Sequence, residues 1–182
     1  MSKTKGMALA ALFAALTAVG TLFLKVPVGS MYITLQVFFT TMAGVVLGPK
    51  WGAVSQAVYV LLGIVGLPVF TNGGGIWYLV QPSFGFLLGL IPQAWVVGTL
   101  CQSEKCVPSI PRVIGASAVG VGVLYLIGLP YMYAILNVYM GKGVPVGTVV
   151  RTGMLIYLPF DAIKIALTAV LAKPLVRAVR RS

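Results

Sequence analysis

Apolar residues run with little interruption over 7–24, 32–47, 51–67, 83–100 and 113–140; four of these runs are closed by glycine, proline or lysine, and 83–100 by the polar turn that begins at Cys101. Stretches of roughly 17 to 25 apolar residues without strand-like alternation predict helices that cross a hydrocarbon layer. A further run, 146–157, contains Arg151, and Pro159 restarts a helix that ends in a basic tail. The pattern predicts an all-α integral membrane protein of six transmembrane helices, folded as one domain over residues 1–182. Between the helices lie Pro- and Gly-containing connectors at 26–30, 48–50 and 141–145, a polar turn at 101–112 and a long irregular stretch at 68–82. The 113–140 run is long for one crossing, and a kink is expected at Pro130. The first run is 18 residues long behind Lys3 and Lys5, beyond the about 7 to 15 residues of a signal-peptide core, and is expected to be an uncleaved span.

Composition agrees. The chain is 59% hydrophobic and 8% charged, where soluble domains carry about 25% charged residues. Its net charge of +11 does not form a nucleic-acid stripe, because the 13 Lys and Arg stand mostly singly at the ends of apolar runs. With both termini inside, nine of them (Lys3, Lys5, Lys50, Lys105, Arg112, Lys173, Arg177, Arg180 and Arg181) are cytoplasmic and three (Lys25, Lys142 and Arg151) are outside, which satisfies the positive-inside bias. The glycine-rich loop and the Asp161 end of the last helix then share the outer side.

Several kinds of chemistry are excluded. There is no histidine, so Cys101 and Cys106 lack partners for a zinc site and read as free thiols. No phosphate loop of the G-x-x-x-x-G-K-[ST] type occurs. Two acidic residues cannot build a multi-carboxylate catalytic site. Neither an enzyme nor a resident cofactor is expected.

What remains is a small set of polar groups in apolar surroundings. Asp161 and Lys164 stand three residues apart in a nearly apolar run, so both lie on one helix face. A charge at membrane depth costs about 2.5 to 3.5 kcal/mol and is usually kept for a substrate, an ion or a proton. The plainer alternative is a carboxylate in the first turn after Pro159, stabilised by the helix dipole and paired with Lys164. Asn72, Gly73 and Gly74, with Gly75 following, offer flexible backbone to a ligand, and Trp77 and Tyr78 offer rings to cover it; an interfacial turn with belt aromatics is the rival reading. Thr34 and Gln36 can face a ligand or hydrogen-bond a neighbouring helix. Ala10, Ala14 and Ala18 recur every four residues beside Ala11 and Ala15, a pattern that lets helices approach closely, either within the bundle or against a partner. The same spacing at Gly44/Gly48 and Gly85/Gly89 is expected to serve internal packing.

The chain resembles the biotin-specific S components (BioY type) of energy-coupling factor transporters. The matching stretches are AALFAALTAVG at 10–20, ITLQ at 33–36, AGVVLGPKWG at 43–52, GLPVF and TNGGG within 66–75, and LPFDAIK at 158–164. The resemblance implies a six-helix subunit of a bacterial plasma membrane that captures biotin from outside. It would dock through Ala10, Ala14 and Ala18 of its first helix on a transmembrane coupling subunit driven by two ATPases. Asp161 and Lys164 match the family's polar pair and Asn72 to Gly75 its capping loop. The segment 81–86 and Leu87 depart from the family pattern, as does Phe160, which stands where glycine is frequent. The rivals to this reading are a self-sufficient proton-coupled carrier and a structural membrane subunit without a ligand.

Overall fold

The computed structural model describes residues 2–28, 31–102 and 108–181; Cys106 and Lys105 lie outside them. Helix α1 spans Lys3–Phe23, and Ser2 caps it by accepting the Lys5 N–H at 3.3 Å. A short antiparallel hairpin follows, β1 at Val26–Val28 and β2 at Met31–Ile33. The expected connector and the head of the second apolar run are therefore extended, an exception to the all-α reading. β-Branched residues and a proline favour this conformation.

Helix α2, Gln36–Val65, is two arms folded back on each other. Gly48 adopts φ 80° and ψ −179°, a left-handed break that glycine supplies without steric cost, and Pro49 then starts the second arm. Thr40 Oγ1 donates to Gln56 Oε1 at 2.9 Å, whereas one straight helix would place these residues about 24 Å apart. The break falls where the sequence predicted it. Gly44 and Gly48 have different jobs, however: a methyl on Gly44 would sit 2.6 Å from the Ala94 carbonyl, while Gly48 is the turn and has open space. Gly85 and Gly89 do serve packing, since a Cβ would come within 2.3 Å of Tyr131 and 2.9 Å of Leu124 respectively.

After a single 3₁₀ segment at Ile76–Val80 come α3, Phe84–Cys101, and α4, Ile110–Ala134. Pro130 lies inside α4, which stays helical through it and ends in a π-helical turn at Ile135–Tyr139. Helix α5, Val146–Val150, passes through a second π-helical segment, Arg151–Leu155, into α6, Leu158–Arg181. Among the described residues five helical stretches are long and apolar enough to cross a membrane: Lys3–Phe23, Gln36–Val65, Phe84–Cys101, Ile110–Tyr139 and Val146–Val179.

The bundle is apolar on both sides of its helices. Tyr59, Phe70, Phe84 and Leu90 are buried in the main core, while Leu126 and Val170 point outward at 75% and 65% exposure, as hydrocarbon surroundings allow. Lys5 Nζ donates to the Val179 carbonyl at 2.6 Å, which brings both ends of the chain to one end of the bundle. The loop 66–82 and the hairpin lie toward the other.

Candidate functional site

Beneath the hairpin and the loop lies a cavity of about 140 Å³, bounded by α2, α3, α4 and α6. Asp161 and Lys164 reach it from α6. They are 3% and 8% exposed, and Lys164 Nζ donates to Asp161 Oδ1 at 2.9 Å. The other carboxylate oxygen accepts from the Tyr125 hydroxyl of α4 at 2.6 Å. Each carboxylate oxygen thus has one partner and room for another, and Lys164 has donated one of three N–H groups. An acceptor and a donor of opposite charge are presented side by side in an enclosed volume, which suits a neutral polar group offering both N–H and C=O.

Asp161 stands in the first turn of α6, as expected, but that turn is not a free helix start. Its N–H already donates to the Tyr157 carbonyl at 2.9 Å, and the chain upstream is helical from 146. The dipole half of the plainer reading therefore loses its basis, since it needs unsatisfied amides at a helix end, whereas its other half, the pairing of Asp161 with Lys164, is present.

Asn72, Tyr78 and Gln36 also line the cavity, whereas Gly73, Gly74 and Trp77 do not. Trp77 is 78% exposed and covers nothing in the site. The glycines serve the loop's own backbone: Gly73 and Gly75 take positive φ in open space, and a Cβ on Gly74 would lie 2.1 Å from the Leu67 carbonyl. Phe70 is thereby seated under the loop, its ring 5.5 Å from that of Tyr59 and 4.6 Å from that of Tyr78. Tyr78 is buried, with its hydroxyl 2.8 Å from that of Thr71.

The hairpin is fastened over the cavity at two points. Lys25 Nζ donates to the Thr71 carbonyl and lies 5.0 Å over the Tyr32 ring. Tyr157, one turn before Asp161, donates to the Val28 carbonyl at 2.7 Å. Tyr125 and Tyr157 were not anticipated from the sequence. The available signal was a hydroxyl-bearing ring within an apolar helix, which at membrane depth needs a partner. The segment that departs from the family pattern is also at the wall, through Gln81, Pro82, Ser83 and Phe86, followed by Leu87.

The alanine ladder faces the wrong way for docking. Ala10 and Ala14 are 2% and 3% exposed and Ala18 is half-buried, all turned into the protein's own bundle. Ala11 and Ala15 are the exposed pair. Small residues let α1 approach α2, and Ala14 and Ala18 pack there against the core that holds Tyr59. No cluster of three or more His, Cys, Asp or Glu occurs among the described residues.

Fold and site together define a helical membrane protein with an enclosed polar-ended cavity. The whole chain superposes on the S-component for biotin from an ECF-type ABC transporter, with a TM-score of 0.81, 25% sequence identity and 95% of that chain covered. Residues 1–181 match the BioY family. A probable biotin transporter BioY from Lysinibacillus sphaericus is 43% identical over 137 residues, 75% of this chain and 69% of that one. The biotin transporter BioY from Thermotoga maritima is 36% identical over 164 residues, 90% of each chain. The chain belongs to the BioY family, whose members are transporters and not enzymes.

Proposed function

We propose that this protein is the biotin-capturing component of a vitamin uptake system in a bacterial plasma membrane. It crosses the bilayer six times as one domain, the two arms of α2 counting separately, with both termini cytoplasmic and the cavity reached from outside. A separate coupling subunit and two ATPase subunits supply the work, in keeping with the missing phosphate loop. The observation that carries the reading is the buried Asp161–Lys164 pair with Tyr125 at the cavity wall, in a chain whose relatives carry the name biotin transporter. Asp161 accepts from the ureido N–H groups. Lys164 and Asn72 serve the ureido oxygen or the valerate carboxylate, and Tyr78, Phe86 and Leu87 enclose the thioether ring and methylene chain. Docking on the coupling subunit uses the outward face of α1, where Ala11 and Ala15 are exposed.

Equilibrium binding of a vitamin panel to the purified chain tests this. Biotin alone should bind saturably, and Asp161→Asn should weaken it by about 1.5 to 3 kcal/mol through loss of charge-assisted hydrogen bonds; a folded Asp161→Asn protein with unchanged affinity refutes the site. Single cysteines at Trp77, exposed on the loop over the cavity, and at Ser182, with Cys101 and Cys106 replaced, should label from outside and inside respectively, and the reverse pattern refutes capture from outside. Uptake that persists in cells without any coupling ATPase would replace this reading with a self-sufficient proton-coupled carrier.

A further inference from the structure

Gln36 meets the cavity at the start of α2, and both ends of its amide are held. At one end is the hydroxyl of Tyr59, a fully buried residue of the second arm. A phenol has one proton to give and can accept two bonds. The Tyr59 oxygen stands 2.7 Å from Gln36 Nε2, 3.0 Å from the Val69 carbonyl oxygen and 3.2 Å from Thr21 Oγ1. Thr21 also reaches the Thr17 carbonyl at 2.7 Å. Carbonyl oxygens only accept, and the two carbonyls hold shorter contacts than the one between the hydroxyls. The Tyr59 proton therefore goes to Val69 and the Thr21 proton to Thr17.

With its proton committed to Val69, Tyr59 can only accept from Gln36, so the nitrogen end of the amide must face it. The other end agrees. Thr34 Oγ1 accepts the Gln36 backbone N–H at 3.3 Å and has its own proton for Gln36 Oε1 at 3.2 Å. A reversed amide would set Oε1 against a phenol oxygen with no proton left to offer. One N–H of Nε2 is left over, and it has no acceptor among the described residues.

We infer that Tyr59, which does not itself line the cavity, is a positioning residue that makes Gln36 a hydrogen-bond donor to an acceptor oxygen of the captured solute. The inference rests on the capture reading above and names one polarity of that site. Because Val69 belongs to the loop over the cavity, the same phenol also ties that loop to α2.

The test is a double-mutant cycle of Tyr59→Phe and Gln36→Met, read by biotin affinity and by the unfolding temperature of the ligand-free protein. Each single change should weaken biotin about tenfold, the scale of one hydrogen bond. The double variant should bind no more weakly than Gln36→Met alone, since Tyr59 acts through that amide. A further tenfold loss in the double variant, or unchanged affinity in Tyr59→Phe, overturns the inference. Thr21→Val should stay within twofold of wild type, because Gln36 donates to Tyr59 whether Val69 or Thr21 takes the phenol proton; a tenfold loss there would mean that Tyr59 acts on the site through Thr21 and not through Gln36, and would overturn the inference. Should Tyr59→Phe fail to fold, Thr34→Val at the opposite end of the amide takes its place, with the same expected silence behind Gln36→Met and the same refutation if the losses add. If the wild-type chain binds no biotin, the capture reading fails, and the ligand-free cycle still decides: the losses in unfolding temperature must be less than additive, and additive losses overturn the positioning of Gln36.

Discussion

In α6 the cavity is met by side chains: a carboxylate and an ammonium 2.9 Å apart, both buried, on a helix whose backbone bonds are already satisfied. In the loop 66–75 it is met by Asn72 and Thr71 alone, while Gly73 and Gly75 supply positive φ and Gly74 closes onto Leu67 and Gly63. Both regions stood out in the sequence for the same reason, unusual residues in an apolar chain. Their contributions differ because a charge cannot be placed in a membrane bundle without a partner, whereas glycine answers equally well to a ligand, a turn or a neighbouring carbonyl.

The sharpest way to break this contrast is to remove one charge of the pair. Asp161→Ala should cost about 3 to 5 kcal/mol of stability by leaving the Lys164 ammonium buried and unpaired. Asp161→Leu combined with Lys164→Met should recover most of that stability while biotin binding stays absent. A double variant that still binds biotin would show that the pair is structural only. Thermal unfolding in detergent and equilibrium binding, run on the same samples, separate the two outcomes.

A smaller effect is expected in the loop. Gly74→Ala brings a methyl within 2.1 Å of a backbone oxygen, which cannot swing aside, and should destabilise by about 1 to 3 kcal/mol. Biotin affinity should fall with it, because Asn72 and Thr71 move when the loop lifts. If Gly74→Ala left stability intact but abolished binding, the glycine would be touching the ligand and the packing account would be wrong.

The smallest effect should come from Trp77→Ala. An exposed ring with no contact to the cavity should change stability and biotin affinity by no more than about 0.5 kcal/mol. A tenfold loss of affinity would restore the ring to the site.

Much of the candidate site was legible because buried polarity is expensive. Asp161, Lys164, Asn72, Tyr78 and Gln36 were all singled out from sequence and all line one cavity. Gly48-Pro49 was legible as a break for a related reason, since few residues can reverse a helix within so short a connection. Tyr125 and Tyr157 were not, because a tyrosine in an apolar run is equally at home facing lipid, core or ligand, and only the partner across the bundle decides. Nothing in the local pattern joins Tyr125 to Asp161, 36 positions away.

The sequence by itself determined where the long helices lie and which few groups must be neutralised, since hydrophobic length and the cost of buried charge act wherever a residue sits; the hairpin at 26–33 escaped it. The direction in which each helix faces was left to the tertiary structure. In a soluble protein the polar side of a helix marks the outside; here both sides are apolar and the periodic signal vanishes. Ala10, Ala14 and Ala18 illustrate this, on a helix with exposed apolar residues such as Leu12 and Val19 on its other side. Only the close approach of α1 to α2, which small residues permit, turned that ladder inward and left Ala11 and Ala15 outside.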